Sequence, residues 1–103
     1  MEVKVGRVSD IPPGTGMAVY AGGQDIAVYN VNGEIVAFGN ECPHQSGSLG
    51  DGVIEGEIVT CPLHGWEFDT STGACMTVPG ESVPRHKVRI DGDDILVDLP
   101  EED

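Results

Sequence analysis

Two short boxes of soft metal ligands stand out in this chain: Cys42-x-His44 and Cys61-x-x-His64, with sixteen residues between His44 and Cys61. Each box offers one thiolate and one imidazole. Each is set among turn residues, with Pro43 inside the first, Pro62 inside the second and Gly65 directly after it. Four such donors can close a tetrahedral zinc site or hold a pair of bridged irons. Zinc fingers usually pair Cys with Cys at one knuckle and His with His elsewhere, whereas here each loop is mixed. For two irons the mixing has a direct geometric use. The two Cys can reach one iron and the two His the other, with the loops clasping from both sides. Neutral imidazoles in place of thiolates also remove negative charge and raise a reduction potential. A structural zinc module remains the alternative at this point.

The elements that must carry these boxes are short and alternating. Val3 and Val5 suggest a first strand, broken by Asp10-Ile11-Pro12-Pro13-Gly14. Met17 to Ala21 and Asp25 to Val31 are rich in Val, Ile and Tyr, and Gly22-Gly23 separates them. Asn32-Gly33 stands between Val31 and Glu34 to Phe38; Asn-Gly between apolar runs signals a hairpin, because both turn residues must take positive φ. Val53 to Thr60 reads as a hairpin around Gly56, Trp66 to Phe68 as a short strand, and Ala74 to Val78 as another closed by Pro79-Gly80. Val83 to Ile90 and Ile95 to Leu99 form a last hairpin through Asp91 to Asp94. About ten short strands at this spacing predict an all-β antiparallel sandwich or small barrel. The 103 residues fit one domain, 1–103.

Composition narrows the function. Eighteen acidic residues against five basic ones give a formal charge of −13. Such a surface repels phosphate backbones and anionic membranes, so neither a nucleic acid nor a membrane is an expected partner. It attracts a basic protein surface, or merely keeps the protein soluble. Three cysteines, an odd count, argue against a closed disulfide framework. No basic-then-apolar leader is visible and no apolar run approaches a membrane span, so a reduced, cytoplasmic protein is expected.

The segments Cys42-Pro43-His44 and Cys61-Pro62-Leu63-His64-Gly65-Trp66-Glu67-Phe68-Asp69, followed by Thr72-Gly73, resemble the two boxes of the Rieske family. The likeness extends over nearly the whole chain. It implies a Rieske-like β-sandwich or barrel with cluster-binding loops at about 42–49 and 61–66, and one [2Fe–2S] cluster per chain. By resemblance, Cys42 and Cys61 bind the buried iron, and His44 and His64 the outer iron from which electrons leave. The respiratory branch of the family carries an extra Cys in each box, joined as a disulfide; here Gly47 and Leu63 stand there, so that bridge cannot form. That branch also has hydroxyl donors where this chain has Trp66 and Phe68. Fewer donors leave the reduced cluster less stabilised, which implies a potential near the low end of the Rieske range, about −150 mV. The pattern is similar to the soluble ferredoxins that feed bacterial ring-hydroxylating dioxygenases. Val78-Pro79-Gly80 falls where the family carries a proline-bearing loop over the cluster, and Gly47, Gly50 and Gly65 are candidates to bring backbone N–H groups toward the sulfurs.

The implied role is an electron carrier and not an enzyme. Four protein ligands leave no open metal position. A mononuclear two-His, one-carboxylate iron cannot be assembled, because His86 is the only histidine outside the boxes. No dinucleotide fingerprint is present. An NAD(P)H-dependent flavoprotein ferredoxin reductase upstream is therefore implied, with a terminal Rieske oxygenase or other iron-containing acceptor downstream. The competing carrier role is a small Rieske-like subunit of a larger reductase such as assimilatory nitrite reductase. Cys75 is expected to be a small core residue, and His86 a packed edge residue beside Val88 and Ile90.

Overall fold

The segment from Ile26 to Val31 is mostly branched and aromatic, as suits a strand buried on both faces. In the computed structural model, which describes residues 1–40, 48–62 and 65–99, those six residues are all buried. They belong to β3 (Gln24–Val31). The other strands are β1 (Glu2–Arg7), β2 (Gly16–Ala21), β4 (Glu34–Gly39), β5 (Val53–Glu55), β6 (Ile58–Thr60), β7 (Glu67–Asp69), β8 (Arg85–Asp91) and β9 (Asp94–Asp98). All pairings among them are antiparallel. A six-stranded sheet runs β1-β9-β8-β4-β3-β2, and a small sheet runs β5-β6-β7. The two edge strands of the large sheet approach each other, Gly6 of β1 facing Met17 of β2, so it curls almost into a barrel. The expected all-β architecture is therefore present, and two 3-10 turns are the only helical pieces among the described residues. No helix there is long and apolar enough to cross a membrane.

Side-chain alternation along β3 and β4 makes these strands a wall between two cores. Ile26, Val28 and Ala37 face a cluster with Val5, Ile11, Ile95, Val97 and Leu99. Ala27, Tyr29, Val31, Val36 and Phe38 face a second cluster with Leu49, Val59, Cys61, Phe68 and Cys75. The second core binds the small sheet to the large one. Asn32 and Gly33 take φ of 53° and 97°, as the hairpin between β3 and β4 requires. Buried Asn30 braces that turn, accepting the Gly33 N–H (2.8 Å) and donating to the Ile11 carbonyl (2.8 Å).

Three expectations need correction. Ala74 to Val78 forms no strand, only the isolated bridges Phe68↔Cys75 and Ala74↔Ser82, so nine strands replace about ten among the described residues. The chain doubles back at once: the Cys75 N–H donates to the Glu81 carbonyl (2.8 Å) and the Glu81 N–H to the Val78 carbonyl (3.3 Å). Strand β8 starts at Arg85, not Val83, because Pro84 has no N–H to give a ladder. Finally, β8 lies between β9 and β4, so His86 is not on an edge strand. Strands β4 and β8 pair only at Ala37↔His86 and Phe38↔Arg85. Beyond that they diverge into a cleft lined by Glu34, Ile35, Arg85, His86 and Lys87, where burial lowers the His86 pKa and the Asp98 charge opposes the shift.

Candidate metal centre

The two boxes lie sixteen residues apart in sequence, and the small sheet brings the described segments next to them together. Val53, which follows the first box segment, pairs with Thr60, which directly precedes Cys61. The return limb of the first loop and the outgoing limb of the second thus leave the same end of the β5–β6 hairpin. Gly52 tightens the junction. A Cβ there would stand 2.2 Å from the Thr60 carbonyl oxygen, so only glycine permits the approach.

The return limb is held from several sides. Leu49 is fully buried, and its carbonyl accepts the Tyr29 hydroxyl from β3. The Tyr29 ring stacks on Phe38 with centroids 5.8 Å apart. Gly50 lies against β2, where a Cβ would meet the Ala18 nitrogen at 2.5 Å. On the outgoing limb, Asn40 accepts the Gly50 N–H at its Oδ1 (2.6 Å) and the Leu49 N–H at its backbone carbonyl (2.8 Å). The Gly50 N–H is thereby engaged by Asn40.

The second loop is also closed at its neck. The Cys61 N–H donates to the Trp66 carbonyl (2.8 Å), and the Gly65 N–H donates to the Cys61 carbonyl (3.0 Å). The Gly65 N–H is thereby engaged inside the turn. Cys61 itself is 1% exposed and packs in the second core. Trp66 is half-buried against the same core. Of the four predicted ligands, Cys61 lies within the described residues; Cys42, His44 and His64 lie outside them, as does Gly47. Cys75 is a buried core residue as expected, and its Sγ accepts the Val78 N–H (3.3 Å). The Val78-Pro79-Gly80 segment is the turn that carries the chain back past Cys75, and the limb before it joins β7, with Met76 N–H donating to the Glu67 carbonyl (2.6 Å).

Burial above all, with the nearby Asp51 charge, pushes the Tyr29 phenol up to about 12, against the pull of a hydrogen bond from the Gly52 backbone. Between pH 10 and 12 the unfolded chain releases this proton and the folded chain keeps it. The folded state then binds more protons, so stability falls as pH rises, by about 1.4 kcal/mol per pH unit. Tyr29→Phe is expected to cost stability near neutrality, through the lost bond to Leu49, yet to flatten this alkaline decline. Urea unfolding on both sides of pH 10 checks it; an equally steep decline in the variant would refute the assignment to Tyr29.

Charge is segregated in a way that composition alone concealed, although residue order contained it. All five basic residues lie on β1 (Lys4, Arg7) or β8 (Arg85, Lys87, Arg89). There they meet acidic neighbours, Arg89 forking onto Glu2 (2.9 Å) and Lys4 reaching Asp94 (3.2 Å). The stretch from Val8 to Pro84, which contains both boxes, holds ten acidic residues, Asp10 to Glu81, and no basic one.

A small all-β domain with the limbs of two loops brought together at one end of a three-stranded sheet is a recognisable class. Residues 1–98 match the Rieske [2Fe-2S] domain, and the chain belongs to that family. It is 36% identical over 91 residues to the ferredoxin component of the naphthalene 1,2-dioxygenase system of Pseudomonas aeruginosa, covering 87% of this chain and 88% of that protein. The Sphingomonas yanoikuyae B1 ferredoxin superposes with a TM-score of 0.89 at 33% identity, covering 97% of this chain and all of that one. The ferredoxin in a complex of reduced oxygenase and oxidized ferredoxin of carbazole 1,9a-dioxygenase gives 0.86 at 31% identity, over 93% and 91% of the two chains.

Proposed function

We propose that this chain is the soluble, cytoplasmic ferredoxin component of an oxygenase system. It takes single electrons from an NAD(P)H-dependent flavoprotein reductase and delivers them to a terminal Rieske oxygenase. The ligands are Cys42, His44, Cys61 and His64, holding one [2Fe–2S] cluster per chain. The observation that carries this reading is the Val53↔Thr60 pairing, which brings the limbs of two mixed thiolate–imidazole loops to one place. The residues fit the group: Cys61 supplies a buried thiol at the mouth of a closed turn, as an iron shielded from water requires. When bound, the cluster stores and releases one electron. The chain's own residues fix the limbs of the two loops and exclude water through Leu49, Phe68 and Trp66, in a stretch of sequence that carries acidic residues and no basic ones. Relatives of similar length, which serve as ferredoxin components or subunits of naphthalene and biphenyl dioxygenase systems, support a carrier and not a catalyst.

The test is direct. Purified protein is expected to be red-brown, with two irons and two acid-labile sulfides per chain, consistent with one [2Fe–2S] cluster. Dithionite reduction should give an EPR signal, and a reductase with NAD(P)H should reduce it by one electron. Colourless protein with one zinc per chain would overturn the proposal. If the acidic stretch steers a basic partner, electron transfer to the oxygenase slows as salt rises. Rates flat in ionic strength would confine the acidity to solubility.

A further inference from the structure

We propose that Asn40 is a positioning residue that sets the entry of the first ligand loop. The proposal rests on the electron-carrier reading above. Asn40 is 8% exposed and spans the neck of the loop with both its backbone and its side chain. Its backbone N–H donates to the Asp25 carbonyl (3.2 Å), which fixes it to β3. Its carbonyl accepts the Leu49 N–H, its Oδ1 accepts the Gly50 N–H, and its Nδ2 donates to Ser48 Oγ (2.9 Å). Three consecutive residues of the return limb are therefore tied to one residue of the outgoing limb.

The limb it grips cannot follow if Asn40 moves. Gly50 abuts the β2 backbone, Leu49 is locked under Tyr29, and Gly52 abuts Thr60 beside Cys61. Asn40 thus refers the start of the first loop to the same rigid frame that carries the second box. Cys42 stands two residues after it and His44 four. A buried amide is suited to this, because it both donates and accepts and adds no charge next to an electron carrier. An apolar side chain would leave the Gly50 N–H buried without its partner.

The experiment compares Asn40→Ala, Ser48→Ala and Asn30→Ala in the cluster-loaded protein. Asn30 is also a buried amide, with two side-chain hydrogen bonds, placed beside the β3–β4 turn. The readouts are the g-values of the reduced cluster and the rate of iron loss to a chelator. Asn40→Ala is expected to shift the g-values and to speed iron loss about tenfold, as removal of outer-shell partners does at metal sites. Ser48→Ala should move both in the same sense by less. Asn30→Ala should lower the melting temperature and leave the g-values unchanged. Wild-type g-values and iron loss in both Asn40→Ala and Ser48→Ala would overturn the proposal. If Asn40→Ala does not fold, Ser48→Ala decides on the same two readouts. A wild-type protein without any cluster signal would instead overturn the carrier reading itself.

Discussion

Cys61→Ala protein is expected to purify without acid-labile sulfide and without the EPR signal, whereas Cys75→Ala keeps both. The two thiols make a sharp comparison because their surroundings are so alike. Both are buried, at 1% and 7% exposure, and both pack in the core that joins the two sheets. Burial and apolar contact therefore do not distinguish them. What differs is the backbone that carries them. Cys61 opens a turn closed by its own N–H and carbonyl, directly after the strand that pairs with the return limb of the first loop. Cys75 sits in a segment folded back on itself, and its sulfur already accepts the Val78 N–H. Replacing Cys75 removes a small core side chain and one weak hydrogen bond, a cost of about 1 kcal/mol. Removing Cys61 takes away the one proposed ligand thiol that lies among the described residues. Iron and sulfide assays with EPR on both variants decide the matter. Loss of the cluster in Cys75→Ala with retention in Cys61→Ala would reverse the ligand assignment.

Gly52→Ala is expected to be among the most destabilising single-methyl additions in the described chain. The added Cβ would stand 2.2 Å from the Thr60 carbonyl oxygen and 3.2 Å from the Leu49 carbonyl oxygen. Both are backbone atoms, so no side chain can rotate aside. Either β5 separates from β6 or the return limb lifts off, and both movements open the junction between the limbs of the two loops. Overpacking of this severity costs about 3 kcal/mol. At roughly 4 °C per kcal/mol, the melting temperature should fall by about 12 °C. Gly56 in the turn of the same hairpin gives the comparison: at φ 60° with open space around it, its replacement by alanine costs only about 1 kcal/mol of backbone strain. Thermal unfolding followed by circular dichroism measures both. A Gly52→Ala protein that melts with the wild type would show that the two limbs do not press together.

Much of the molecule could be read from residue order because it depends on near neighbours. Asn32-Gly33 dictates its turn through the φ values that only such residues adopt cheaply. Period-two alternation produced the strands, and the pairing of thiolate with imidazole in each box favoured a pair of bridged irons over zinc. Pro84 could have been read too, since a residue without an N–H delays a strand. The doubling back at Cys75 could not, because it depends on the Glu81 carbonyl coming round to meet the Cys75 N–H. The same holds for Asn40, an unremarkable polar residue until Ser48, Leu49 and Gly50 approach it.

Residue types and local spacing were enough to establish an all-β chain with two mixed Cys/His boxes and a strongly acidic charge. How the limbs flanking those boxes come together lay beyond them. Val53 reaches Thr60, Gly50 reaches Ala18 and Tyr29 reaches Leu49 only when the two cores condense on either side of β3. Such contacts join residues far apart along the chain, and their energy exists only after the intervening loops have been closed.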